Sequence, residues 1–499
     1  MLLFSEYLRE LMKDKQISVS SLARLTGMER THLSKVLTGS RTLPYHALDE
    51  LIYHLRLTPS EEKRLRSYYD DQFEKKGTRH SHELVGKLFS NLSCLDFSAP
   101  AFERTRLLMD LEQYAGEKSV FTGETNVQFL LRMVLSEEMS RTDARLELTV
   151  PPSDTFLHTD LIHRYMDDKM SMDITQIICF DASSTGTDIN LHNLEFFCRI
   201  LPICLLSRQH YHPYYYYDNN ISTHYTDPFP YFLITHSCVV CLSEDGACAM
   251  LLRSPDSIAY YRRHFQSLIT SCYSLIQYTS NPLEILESYQ RCTEPDGFYM
   301  AMDQPCFARF YSDEFILSHI RQGLTGYEQI LQAAKERFSL LQMVSHFYTI
   351  FSEAGLKRFM MDGTLDDYPV EIVTPFTPEE RRWLMRELAE AIRSGNVTGY
   401  IFRENVFPDY LSMCTSAEQG IGFFTTRQFP LSDGLCSVWI KEPNLSRAFH
   451  SWMTYLPGSP LTLTATETAD ILEKLSHNIM NQLNREELRN GYESTCKII

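Results

Sequence analysis

Across residues 4–57 the apolar positions recur with helical spacing, broken by tight connections. Leu8, Leu11 and Met12, at i, i+3 and i+4, place one apolar stripe on a first helix. Ser18 is positioned to cap a second helix that carries Val19, Leu22, Ala23 and Leu25. Gly27 then allows a sharp turn without a Cβ clash. A third helix, residues 29 to about 38, turns Leu33, Val36 and Leu37 inward, and Gly39 sits just past its end. Pro44 opens toward a fourth helix with Leu48, Leu51, Ile52 and Leu55. Residues 59–76 predict a charged helix with Leu65, Tyr68, Tyr69 and Phe73 on one side; Gly77 and polar residues 80–82 read as a linker. That helix is either a stalk that supports dimer contacts or a fifth helix packed on the others.

Farther along, helical patterns include residues 102–114 and 127–139. Strand-like and helix-like runs then alternate at 146–150, 174–180, 196–206, 214–217 and 238–242. This alternation predicts an α/β (or α+β) body rather than an all-helical one. The body also resembles itself. YYYYDNN (214–220) leads to FPYFL (229–233), as YIFREN (400–405) leads to FPDYL (407–411). AMLLRSPDSIAYYRRHF (249–265) parallels CSVWIKEPNLSRAFHSWM (436–453), each an apolar strand, a charged residue, Pro, then Asp256 or Asn444 before an aromatic-bearing helix. Two duplicated halves are one reading, and chance likeness of two strand–turn–helix units is the other. The expected organisation is multidomain: an all-α head with its connector helix (1–76), a helical linker region (77–139), and two α/β halves (140–290 and 291–499), the last with a C-terminal helix.

Composition narrows the function classes. A chain of 499 residues, 43% hydrophobic and 22% charged, is an ordinary globular protein of several domains, not a disordered one. Its net charge of −17 argues against coating nucleic acid or a membrane surface along its length. The charge is uneven, however. Residues 1–66 hold 11 Lys and Arg against 8 Asp and Glu, a net +3, which leaves −20 on the rest. Thirteen cysteines, none before Cys94, predict reduced thiols in a cytoplasm rather than a disulfide framework. The N-terminus lacks the basic region of a signal peptide, and Arg199, Pro202 and His236 interrupt the most apolar windows, so no membrane span is expected.

The run SVSSLARLTGMERTHLSKVLTGSRTLP resembles the Cro/C1-type (xenobiotic-response-element type) helix-turn-helix family, with Leu22-Ala23, Gly27-Met28, Leu33-Ser34-Lys35-Val36 and Gly39-Ser40-Arg41 at the family's spacing. Val19 and Leu37 depart from the residues often found there, a Gln and a Glu. The resemblance covers roughly residues 4–57. It implies a regulator that binds double-stranded operator DNA, with Leu22, Ala23, Gly27, Leu33 and Val36 forming the motif's core. The implied base contacts are Arg30, Thr31, Ser34 and Lys35 on the third helix; Ser18, Ser20, Ser40 and Arg41 suit phosphates. His32 points either to DNA or to solvent.

A homodimer is expected, because one short helix reads only a few base pairs. The body would sense an unknown small-molecule or protein effector, and a cleft between the two halves is the expected place for a ligand. One two-half architecture of this kind is the phospholipase D-like fold, whose catalytic His-x-Lys pair this chain lacks. Phosphate loops, dinucleotide fingerprints, zinc-protease motifs and nucleophile elbows are also missing. No catalytic residue, metal or cofactor is therefore assigned. Cys238 and Cys241 read as core packing, and His210, His212 and His224 as loop or strand-edge residues or an aromatic pocket. Asp167-Asp168 and Asp366-Asp367 read as solvated caps or turns. The alternatives are an enzyme-like domain tethered to DNA, or a protein-interaction scaffold without a small ligand.

Overall fold

The computed structural model describes residues 4–39, 41, 43, 45–70, 78–95, 110–153, 155–166, 172–182, 189–207, 209–218, 227–294, 297–368, 370–429 and 436–477. Expectations placed on Ser40, Pro44, Phe73, Gly77, residues 102–109, Asp167-Asp168, His224 and the chain beyond 477 lie outside the described residues. Residues 1–83 and 84–499 form two compact units.

The first unit is a bundle of α1 (Phe4–Asp14), α2 (Val19–Leu25), α3 (Arg30–Leu37), α4 (Tyr45–Leu55) and α5 (Pro59–Asp70). The stripes predicted on the first four helices meet in one core that includes Leu8, Leu11, Leu22, Leu33, Val36, Leu48 and Leu51. Leu25 is the exception at 46% exposed. It lies about 110° around the helix from the midpoint of Leu22 and Ala23, which face the core. Of the two readings of the charged helix, the packed one holds. Thr58 and Glu61 close a capping box at its start, with Thr58 N donating to Glu61 Oε2 (2.7 Å) and Glu61 N to Thr58 Oγ1 (3.4 Å). Leu65 and Tyr69 are buried in the head, where the Tyr69 hydroxyl donates to the Leu43 carbonyl at 2.6 Å. Lys15–Glu61 (3.0 Å) and Arg66–Asp49 (2.7 Å) tie its surface to α1 and α4.

The second unit contains two mixed sheets. The first comprises β1 (Val120–Thr122), β2 (Arg145–Leu148), β3 (Asp173–Asp181), β4 (Tyr211–Asp218), β5 (Tyr231–Ile234), β6 (Val239–Leu242), β7 (Cys248–Leu252) and β8 (Tyr273–Ser274). The second comprises β9 (Ile276–Thr279), β10 (Gly297–Ala301), β11 (His346–Ser352), β12 (Thr398–Phe402), β13 (Leu411–Ser416), β14 (Gly420–Thr425) and β15 (Ser437–Ile440). Their orders are β1-β7-β6-β5-β2-β3-β4-β8 and β12-β11-β10-β13-β14-β15-β9. Read in one direction, seven strands of each sheet follow the same path. A parallel triplet (β2-β3-β4, β10-β11-β12) is extended by an antiparallel meander (β5-β6-β7, β13-β14-β15), and a leading strand (β1, β9) pairs antiparallel with the end of the meander. The segments alike in sequence occupy corresponding places. Each meander runs into a helix, Pro255–Ile269 or Pro443–Tyr455.

The expected boundaries need correction. The described parts of residues 84–139 are not a linker: Val85, Leu88, Phe89 and Leu92 enter the body's core, β1 joins the first sheet, and helix Glu124–Met139 buries Leu130, Leu131 and Leu135. Likewise β9 and helix Pro282–Arg291, which begin before residue 291, belong with the second sheet. The junction of the halves is packed rather than cleft-like. Phe197 meets Phe449 edge-on at 5.7 Å, Phe89 lies 5.0 Å from Trp452, and the backbone N–H of Asn190 donates to Asn444 Oδ1 at 3.0 Å.

Cys292 and Cys414 form a disulfide across 122 residues, where reduced thiols were expected throughout. Among the described residues no helix is long and apolar enough to cross a membrane.

Asp366 and Asp367 are not solvated: they are 1% and 7% exposed. Asp366 Oδ1 accepts from Arg427 Nη2 and Gln428 Nε2, both at 3.3 Å, and its N–H donates to Gln304 Oε1 at 2.9 Å. Arg358 pairs with Asp366 at 3.7 Å and also with Asp303, which accepts from Ser352 Oγ at 2.6 Å. Gly355 is required beside this cluster, since a Cβ there would stand 2.2 Å from the Asp303 carbonyl oxygen. Burial pushes the Asp367 carboxyl up to about 6, against the opposing pull of Arg337. A carboxyl raised in this way favours the fold below about pH 4, and that contribution is lost as pH rises through about 6. The melting temperature of the wild-type chain minus that of Asp367→Asn should therefore shrink between pH 4.5 and 7; a difference constant with pH would show that Asp367 titrates as it does unfolded.

Candidate nucleic-acid interface

The interface is built around the α2–α3 connection. Ser18 caps α2, its hydroxyl oxygen accepting from Ser21 N–H at 3.2 Å. Thr26 ends the helix, with its hydroxyl donating to the Leu22 carbonyl at 2.9 Å. Gly27 follows at φ +68°, a left-handed conformation that side chains with a Cβ resist. Met28 N–H then returns to the Ala23 carbonyl at 3.0 Å, and the Met28 side chain packs on the head core. These bonds satisfy the carbonyls at the end of α2 and fix where α3 begins. Gly39 repeats the device after α3, at φ +73° and with its N–H on the Val36 carbonyl at 3.0 Å.

With Leu33, Val36 and Leu37 buried, the opposite side of α3 is determined. Arg30, Thr31, Ser34 and Lys35 are all exposed, so the four residues expected to meet bases lie on the outward side of one helix. No hydrogen bond or ion pair to a described residue engages the Arg30 guanidinium. The expected phosphate partners Ser18, Ser20 and Arg41 are exposed as well. The motif core is assembled as expected: Leu22, Ala23, Leu33 and Val36 are at most 3% exposed around the Gly27 turn. His32 points fully to neither side; it is half-buried, and its Nε2 is covered without a hydrogen-bond partner among the described residues.

One residue escaped the sequence reading as part of this surface. Glu29 is the exposed N-cap of α3 and accepts from Thr31 Oγ1 at 3.3 Å, which puts a carboxylate at the N-terminal end of the helix. Its position before the helix start, where acidic residues are common, was the available signal.

Residues 7–61 match the family model of the Cro/C1-type HTH DNA-binding domain. The match runs from within α1 to the first three residues of α5. No curated protein matches the chain. Among solved structures, the chain is similar to the crystal structure of phosphatidylserine synthase from Haemophilus influenzae Rd KW20. The identity is 12%, covering 74% of this chain and 94% of that one, at a TM-score of 0.24, too loose a superposition to carry an argument.

Outside the Cro/C1-type domain, the paired cysteines do not converge. In a strand, positions three apart point to opposite faces. Cys238 accordingly joins the main body core, Cys241 lies in a separate cluster beside Tyr261, and burial raises both thiols. His210 pairs with Asp173 at 2.7 Å, and His212 is exposed at the strand edge.

Since a Cβ at Gly27 would meet no atom within 4 Å, only the backbone conformation opposes a side chain there. Gly27→Ala should cost the head about 1–2 kcal/mol. Hydrogen exchange of the α2 and α3 amides in the full chain should register that loss, and unchanged protection would remove Gly27 from the turn's requirements.

Proposed function

We propose that the chain is a sequence-specific transcriptional regulator, cytoplasmic and homodimeric, whose body senses an effector and performs no catalysis. The observation that carries this reading is the outward surface of α3. Four polar side chains are held on a helix whose aim is fixed from behind by Leu33, Val36 and the Gly27 turn, within a segment matching a DNA-binding family. Arg30 and Thr31, in the first turn, read bases: the guanidinium donates twice to a guanine edge, and Thr31 meets a base acceptor or a thymine methyl. Ser34 and Lys35 extend that contact by one turn. Ser18, Ser20, Ser40 and Arg41 hold phosphates and set register rather than sequence preference.

Pairing of two heads doubles a contact too small to specify an operator alone, and it spaces the half-sites by about one helical turn, ~34 Å. The head's net +3 against −20 elsewhere confines attraction for DNA to the reading surface. We also read the body as a duplication, supported by seven strands in the same order in both sheets. Effector binding acts by favouring one placement of the paired heads over another.

The double variant Arg30→Ala, Thr31→Ala should abolish discrimination between operator and random DNA in a mobility-shift titration, while circular dichroism stays unchanged. Each lost base contact is worth ~1–3 kcal/mol. Arg41→Ala should weaken binding to all sequences alike and lower the salt slope by about one. Retained operator discrimination in the double variant would overturn the assignment of α3.

A further inference from the structure

The body contains a cavity that sequence patterns did not announce, and it lies within the second half, away from the junction. Its volume is about 240 Å³, and its walls come from helices Asp313–His319 and Tyr327–Met343 and from residues 365–368 and 372–376. Four of its lining rings, Tyr311, Phe315, Phe338 and Phe376, touch one another edge-on or stacked at 5.1–5.8 Å. The wall formed by residues 370–376 is pinned. Arg321 N–H donates to the Ile372 carbonyl and Thr374 N–H to the His319 carbonyl, both at 2.9 Å, and Phe376 N–H donates to the Gly363 carbonyl at 2.8 Å. The Asp303–Arg358–Asp366–Arg427 network anchors the same segment at its start. The cavity is therefore formed before any ligand arrives.

The lining also carries Ser280, Tyr311 and His319, the last with its ring nitrogens bonded to the Phe315 carbonyl and to Glu380, and two polar groups from the adjacent residues Asp367 and Tyr368. Asp367 contributes a buried carboxyl, and the Tyr368 hydroxyl oxygen is buried with no hydrogen-bond partner among the described residues. Behind them Arg337, 1% exposed, stacks its guanidinium 4.2 Å from the Tyr289 ring and lies 5.7 Å from that of Tyr368. Arg337 offsets the charge of Asp367, so the site has no net charge with which to repay the desolvation of an ionised ligand. A cavity lined by both a buried carboxyl and an unpaired buried hydroxyl is completed by a group that both donates and accepts.

We infer that this cavity binds a compact, neutral aromatic alcohol, whose ring lies among the four aromatic side chains and whose hydroxyl donates to Asp367 and accepts from Tyr368. A 150 Å³ apolar cavity accommodates benzene, so this one has room for roughly ten non-hydrogen atoms. The inference rests on the reading of the body as a sensor, and it names the class of effector.

The test is calorimetric titration of the full chain with 2-naphthol as probe, with naphthalene and 2-naphthoate as comparisons. One molecule of 2-naphthol should bind per chain, with Kd on the order of tens of micromolar. Naphthalene should bind at least about fivefold more weakly, and 2-naphthoate more weakly still. Ala334→Leu, which fills the cavity from its helix, should weaken 2-naphthol binding at least tenfold. Ile330→Trp does the same from a half-buried position and carries the test if the first variant does not fold. Absence of saturable binding, or binding unaffected by filling, would overturn the site. Equal affinity for naphthalene would overturn the polar end, and preference for the naphthoate would overturn neutrality. Operator affinity measured with and without 2-naphthol separates the two levels. Binding that leaves operator affinity unchanged keeps the cavity as a ligand site and refutes its role as the sensor.

Discussion

A parallel strand triplet exposes two apolar faces, and both must be covered before such a sheet is stable in water. That requirement organises the body. In each half, the crossovers between parallel strands return as helices that cover the sheet, and the meander extends the covered surface sideways. The leading strands β1 and β9 then pair the last strand of each meander and leave only a short strand at that edge. The junction follows from the same need. Helices Leu191–Leu206 and Pro443–Tyr455, one from each half, bury their remaining apolar sides against one another, and Phe89 and Trp452 complete the packing.

The head was legible in sequence because its determinants are local. Gly27, the Ser18 cap and the spacing of Leu22, Ala23, Leu33 and Val36 act within a few residues of each other, where helical period and turn chemistry operate. Only Leu25 misled, since an apolar residue counted toward a stripe still needs the right angular position. In the body, strand–turn–helix units were visible for the same reason. Their sheet partners were not. The pairing of β1 with β7 joins segments about 130 residues apart, and nothing in Val120–Thr122 announces it.

Charge burial was the least legible feature. Asp366-Asp367 looks like a turn because two adjacent acids are usually solvated; Arg358, Gln304, Arg427 and Gln428, up to 62 residues away, make the burial of Asp366 tolerable, and Arg337 that of Asp367. The cavity beside them escaped notice for a related reason. Its rings belong to helices and a loop whose apolar residues are indistinguishable in sequence from core. The outward residues of α3 were predictable as a set, whereas the bond between Glu29 and Thr31 depends on side-chain geometry.

That bond bears on the base-reading role proposed for Thr31. In the DNA-free head its hydroxyl proton is already committed to a carboxylate two residues earlier. A base acceptor that recruits the proton must first outcompete an anion, a poor exchange for a neutral oxygen. The methyl group carries no such commitment. Under the proposed role of α3, Thr31 would therefore be biased toward recognition by shape, through its methyl against a thymine methyl, more than through its hydroxyl.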